Sequence, residues 1–137
     1  MNRQDAKSAK EEPSQDLDEL AHRVIGAAIE VHKVLGPGYL ESVYEEAMAI
    51  ELNDQGITFK RQFAFAVPYK ERLVGEGRLD FLVEGILVVE LKAVDKLNQV
   101  HISQVISYLK ATGSTLGLLI NFNERLLRSG IQRVILS

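Results

Sequence analysis

From residue 17 the apolar positions of the chain recur at helical spacing: Leu17, Leu20, Ala21, Val24, Ile25, Ala28, Val31 and Leu35, with His32 on the same stripe. That is the rhythm of a helix with one buried face. Asp16, followed by Glu19 three residues on, has the look of a capping box at its start. Gly36-Pro37-Gly38 ends it, because glycine suits the position after a helix and proline cannot continue one. A second helix is expected from about Tyr39 to Asn53, with Leu40, Val43, Tyr44, Ala47, Met48 and Leu52 as its stripe and Gly56 as its stop.

The period then falls to two. "ITFKRQFAFAVPYK" alternates through Phe59, Arg61, Phe63, Phe65 and Val67, as a strand does. "RLVGEGRLDFLVE" and "GILVVELKAV" read as two further strands joined by a turn near Gly85. The third strand is apolar on both faces until Glu90, so it is expected at the centre of the sheet, covered on both sides. "NQVHISQVISYLKATG" returns to helical spacing, with Val100, Ile102, Val105, Ile106 and Leu109 inward and Gly113 as the stop. "TLGLLINF" reads as a buried strand and "IQRVILS" as an edge strand. Two helices, a three-strand meander, a crossover helix and two strands make an α/β domain with a mixed central sheet flanked by helices.

Length and composition narrow the class. The 137 residues suit one domain able to bury its own core. Residues 1–15 are polar and contain Pro13, so they are expected to be a mobile tail ahead of a domain spanning 16–137. They hold no apolar segment of the kind a secretory signal needs. No run approaches the roughly 20 apolar residues of a membrane span. Cysteine is absent, which excludes disulfides, thiolate metal sites and a cysteine nucleophile and fits a cytoplasmic setting. A net charge of -3 argues against a protein that simply coats nucleic acid. It is compatible with an enzyme that has a local basic groove and an acidic centre requiring a cation.

The candidate chemistry lies where charge interrupts apolar strands. Glu90 and Lys92 are two apart on one strand and share a face, while Leu91 points to the other. Asp80 is on the preceding strand. A three-residue connection, or a bulge, would place Asp80 opposite Glu90; a two-residue Glu84-Gly85 turn would place it opposite Val89. In the first case two carboxylates and an ammonium converge, and the like charges call for a divalent cation such as Mg²⁺, which takes hard oxygen ligands and keeps waters. A lysine beside such a centre can orient a water and stabilise charge on a phosphorane-like transition state. These are the parts needed to hydrolyse a phosphodiester.

Asp80 followed by Glu90-Leu91-Lys92 resembles the D…ExK half of the PD-(D/E)XK nuclease superfamily, and the order of elements is similar to its restriction-endonuclease-like core. "GYLESVY" at 38–44 reads Gly38-x-x-Glu41-x-x-Tyr44, the signature of the GxxExxY protein family, a bacterial and archaeal branch of that superfamily. The resemblance continues through Gln62, Tyr69, Gln104 with Tyr108-Leu109-Lys110, and Asn121-Phe122, and covers nearly everything from residue 17 on. Leu79 stands where the superfamily motif has proline, and Asn123 where the family has glycine after Asn121-Phe122. Asparagine tolerates the left-handed backbone that glycine would take there.

The resemblance implies that Glu41 supplies an acid to the metal, directly or through water, and that Gln104 faces the site and positions water or a phosphate oxygen. It implies Mg²⁺ or Mn²⁺ held by Asp80, Glu90, Glu41 and the Leu91 carbonyl. Nucleic acid is the implied partner, DNA ahead of RNA, with no membrane and with a homodimer as the assembly that would cut two strands together. The other reading is a catalytically silent nuclease-fold module that acts through a protein partner, which the acidic balance would suit.

Neighbouring residues read more plainly. Glu46 and Glu51 are a solvated helix face, Glu45 is balanced between that face and the site, and Tyr44 is core with a bonded hydroxyl. His101 reads as surface. His22 and His32 form no zinc-type pair. Lys60, Arg61, Arg72 and Arg78 are read as solvated strand faces rather than a binding groove.

Overall fold

The structure, a computed structural model, describes residues 13–136. In chain order its elements are α1 (Gln15–Leu35), α2 (Glu41–Asp54), β1 (Phe59–Tyr69), β2 (Arg72–Val83), β3 (Leu87–Lys92), α3 (Gln99–Thr112), β4 (Leu116–Asn121), a 3₁₀ turn (Leu127–Gly130) and β5 (Ile131–Ile135). The tail expected over residues 1–15 falls mostly outside the described residues. Of those described, Ser14 is the N-cap of α1: its side chain accepts from the Leu17 amide, so the cap is this serine rather than Asp16.

The five strands lie in sequence order, with β3 and β4 parallel and every other neighbouring pair antiparallel. A parallel pair needs a crossover, and α3 supplies it. α1 and α2 cover one face, where Val24, Ala28, Tyr44, Met48 and Leu52 meet Phe81, Val89, Leu91, Leu118 and Phe122. α3 covers the other, with Val105, Tyr108 and Leu109 against Leu79, Val88, Leu119 and Val134. β3 and β4 thus have helices on both faces, which is why their sequences are almost continuously apolar.

Three local readings are corrected. α2 begins at Glu41, two residues later than expected; Leu40 is its N-cap and is exposed, Val43 is partly exposed, and Ala49 joins the buried stripe. Val100 in the first turn of α3 is 74% exposed rather than inward. The alternation of β1 also does not keep to one face. Phe59 packs with the α1/α2 core, whereas Phe63 and Phe65 pack with the α3 core. Gln62, between them, has φ +50°, and this kink turns the strand over; Phe81 and Leu79 change faces in the same place on β2. Beyond it, β3 pairs with β2 only over Phe81–Val83, so the outer half of the β1–β2 hairpin stands out as a ribbon, held to α3 by the edge-to-face Phe65–Tyr108 contact at 5.4 Å.

Candidate active site

The register that decides the site is set by the β2–β3 connection. Val83 pairs with Leu87, so Glu84, Gly85 and Ile86 form a three-residue link, with Glu84 and Gly85 both at positive φ. Continued by one step past Phe81↔Val89, this register sets Asp80 across from Glu90. The backbone ladder stops there and the two carboxylates take its place. Glu90 Oε1 accepts from the Asp80 amide at 3.0 Å, and Asp80 Oδ2 accepts from the Leu91 amide at 2.8 Å. Both acids are buried, at 7% and 5% exposure.

Lys92 completes the group on the same strand face, its Nζ 3.9 Å from Glu90 Oε2. On the β1 side, Gln62 donates to Asp80 Oδ1 at 3.2 Å and to Glu45 Oε1 at 2.7 Å. Arg61 holds Glu45 Oε2 at 2.7 Å and also reaches Glu46, so this arginine is committed to α2 and is not a free strand-face cation. The strained backbone of Gln62 thus coincides with the side chain that links the α2 acids to Asp80.

Burial and charge act together on these groups. Burial first, and then the Asp80 carboxylate, push Glu90 up to about 8 against the pull of the Asp80 amide and Lys92. Asp80 is raised mainly by burial, with the Leu91 amide holding it down. Glu41, the first residue of α2, keeps solvent exposure yet is raised by partial desolvation and then by the charge of Asp80. Tyr108 is pushed up to about 12, by burial and then by the charges of Glu90, Asp80 and Glu41. One turn earlier on α3, the Gln104 amide oxygen is buried without a hydrogen-bond partner.

The donor chemistry suits a small, hard divalent cation. Two buried carboxylates face one another, each with one oxygen fixed by a backbone amide and the other turned to Gln62 or Lys92. A cation would offset the burial that raises both acids and the Asp80 charge that adds to it at Glu90. Among the described residues no three His, Cys, Asp or Glu side chains are grouped closely enough to hold a metal between them. Asp80 and Glu90 are the two buried carboxylates that could hold one, and Mg²⁺ accepts so small a set because it retains waters.

The residues around this centre show how the sequence builds it. In the Gly38-x-x-Glu41-x-x-Tyr44 run, Gly38 takes φ +110° and the Tyr44 hydroxyl donates to the Gly36 carbonyl at 2.6 Å while accepting from the Tyr39 amide at 3.2 Å. The Tyr44 ring stacks on Phe122 at 4.6 Å. Tyr44 thus fixes the turn that delivers Glu41 to the head of α2. Asn121, fully buried at the end of β4, accepts from the Val94 amide at 3.0 Å and donates to the Val94 carbonyl at 2.8 Å. With the Phe122 amide on the Lys92 carbonyl at 2.9 Å, this clamps the chain just after the lysine. Asn123 does not adopt the left-handed backbone expected of it; Asn121 Oδ1 accepts its amide and holds the turn instead. His101 belongs to the α3 capping box with Asn98. Asn121→Ala is expected to destabilise the protein by about 1–3 kcal/mol, since it strands both polar groups of Val94; urea unfolding checks this.

Gln62, Tyr108 and Asn121 had no assigned role in the sequence reading, although they lie within the stretches that carry the resemblance. Glu45, balanced there between the solvated face and the site, is tied to Asp80 through Gln62. The signal for Gln62 is its register: it stands across from Asp80 on β1.

A mixed sheet with a helix pair on one face and a crossover helix on the other, and with an acid, an acid and a lysine on neighbouring central strands, defines a restriction-endonuclease-like α/β domain. The family model described as the PD-(D/E)XK nuclease superfamily matches residues 18–134, and the chain belongs to that superfamily. No curated protein and no solved structure matches it. Among the described residues no helix is long and apolar enough to cross a membrane.

Proposed function

We propose that this protein is a Mg²⁺- or Mn²⁺-dependent phosphodiesterase that cleaves nucleic acid, DNA in the first instance, within the GxxExxY branch of its superfamily and in the cytoplasm. The observation that carries this reading is the buried Asp80–Glu90 pair with Lys92 on the same face. Buried charge without a ligand is costly, and apolar residues would pack there at less expense. Bound by Asp80, Glu90 and the Leu91 carbonyl, a divalent cation would supply Lewis-acid charge to the phosphate and acidify a water.

The chain's own groups do the rest. The Asp80 and Leu91 amides fix one oxygen of each carboxylate, leaving Glu90 Oε2 beside Lys92 and Asp80 Oδ1 beside Gln62. Lys92 directs the attacking water and carries positive charge towards the oxygens of the transition state. Glu90 restrains the lysine from 3.9 Å. The Gln104 side chain offers its unpartnered amide oxygen to a water and its NH₂ to a phosphate oxygen. Glu41 acts through charge or an intervening water, and Gln62 keeps Asp80 from rotating away.

Purified protein incubated with plasmid, single-stranded DNA and RNA in Mg²⁺, Mn²⁺ or EDTA is the test. Cleavage is expected with either cation, absent in EDTA and absent in Glu90→Ala. If a folded, cation-loaded protein cuts none of the three substrates, the reading fails and the partner-acting module takes its place.

A further inference from the structure

A second surface rests on this reading and extends it. Between the C-terminal end of α1 and the segment after β4 lies a cleft of about 510 Å³. Its rim carries His32, Lys33, Arg125 and Arg128, its floor is apolar with Ile29 and Leu127, and no Asp or Glu lines it. In a chain of net charge -3 such a concentration needs a reason. Of the other described arginines three are ion-paired, Arg61 with Glu45 and Glu46, Arg78 with Glu76 and Arg133 with Asp18, while Arg23 donates to the Gln55 carbonyl and Arg72 has no ion-pair partner. Among the described residues Lys33, Arg125 and Arg128 have no ion-pair partner.

The cleft is also built rather than merely exposed. His32 Nε2 donates to the Glu124 carbonyl at 2.7 Å, tying α1 to the loop that bears both arginines. That loop is anchored at one end by Asn121 and Phe122 and at the other by buried Leu127. The bound hydroxyl of Tyr44 sits on Gly36, itself a lining residue, so the cleft and the turn that presents Glu41 share one support. Arg125 follows Asn121, the strand partner of Lys92, by four residues. At the reach of an extended chain plus one strand spacing, its Cα lies no more than about 19 Å from that of Lys92.

We propose that this cleft is where the backbone of the nucleic-acid strand runs after it leaves the acidic centre, with Lys33, Arg125 and Arg128 each facing a phosphate. A two-carboxylate centre repels a polyanion, and a nearby acid-free basic cleft supplies the attraction that the centre lacks. Binding and chemistry are then carried by separate residues.

The test is fluorescence anisotropy with a short labelled single-stranded oligonucleotide and its duplex, in Ca²⁺, across a range of salt. The proteins are wild type, Lys33→Ala/Arg125→Ala/Arg128→Ala, and a control with the same charge change on the β1–β2 hairpin, Lys60→Ala/Lys70→Ala/Arg72→Ala. In the cleft variant the slope of log affinity against log salt is expected to flatten by about 2 to 3, with roughly tenfold or greater loss of affinity at moderate salt. Circular dichroism confirms that each variant is folded. Binding unchanged in the cleft variant, or weakened equally in the control, overturns the proposal, as does a wild type that binds neither probe. The catalytic reading is judged separately by cleavage in Mg²⁺, which the binding measurement in Ca²⁺ does not use. Cleft-dependent binding without any cleavage would retain this surface and reject the phosphodiesterase.

Discussion

Lys92→Ala is expected to lower cleavage by roughly 10²- to 10⁴-fold, the range seen when a positioned proton-transfer or transition-state-stabilising group is removed. The fold should survive, because the Lys92 side chain lies at the end of β3, is 15% exposed, and meets its nearest carboxylate at only 3.9 Å. Cation binding should survive too. Removing an ammonium next to Glu90 takes away a competitor for that carboxylate, so affinity for Mn²⁺ is expected to stay level or rise. The informative experiment pairs single-turnover cleavage with calorimetric titration of Mn²⁺ on the same preparation. Loss of turnover with retained Mn²⁺ binding is what a water-directing lysine predicts. Full turnover would remove Lys92 from the mechanism, and simultaneous loss of Mn²⁺ binding would make it a structural support of the centre.

The sequence carried much of this architecture because its signals were physical ones that survive packing. β3 is apolar on both faces, and it is the strand with helices on both sides; α3 is bracketed by Asn98 and Gly113, and both cap it. The order of elements followed from these. Two features were not legible for definite reasons. Glu84-Gly85 fits a two- or a three-residue connection equally well, and only packing of Phe81, Val83, Leu87 and Val89 on one core selects the three-residue one that aligns Asp80 with Glu90. Gln62 has a side chain that gives no warning of positive φ, so β1 read as a strand of constant face when it turns over beside the site. The signature residues show the same divide. Glu41 was legible as an acid near the site, but that Tyr44 holds its turn from inside the core requires the position of Phe122, nearly eighty residues away.

Glu90→Gln is expected to raise the melting temperature of the metal-free protein at pH 8 and above while abolishing cleavage. In the folded state Glu90 is pushed up to about 8 from an ordinary 4.5. Between those values the folded protein holds a proton that the unfolded chain has released, so stability falls as pH rises across the interval. The penalty is absent below the unfolded value and complete above the folded one. Asp80, raised from 3.8, contributes in the same direction. Each unit of separation is worth about 1.4 kcal/mol, so the cost at pH 8 amounts to several kcal/mol. Glutamine keeps the shape and the carbonyl that accepts from the Asp80 amide, yet never ionises. The variant should therefore match wild type near pH 4 and exceed it increasingly towards pH 8 in EDTA. Mg²⁺ should act on wild type as the substitution does, raising its melting temperature most where Glu90 is ionised, because a ligand of the folded state alone stabilises it. The variant should respond to Mg²⁺ weakly. Scanning calorimetry of both proteins across this range, with EDTA and with Mg²⁺, separates the possibilities. A wild-type melting temperature that climbs from pH 5 to 8 in EDTA, with Glu90→Gln less stable at pH 8, would mean that Glu90 is there to hold the Asp80 amide and that the buried acids do not await a cation.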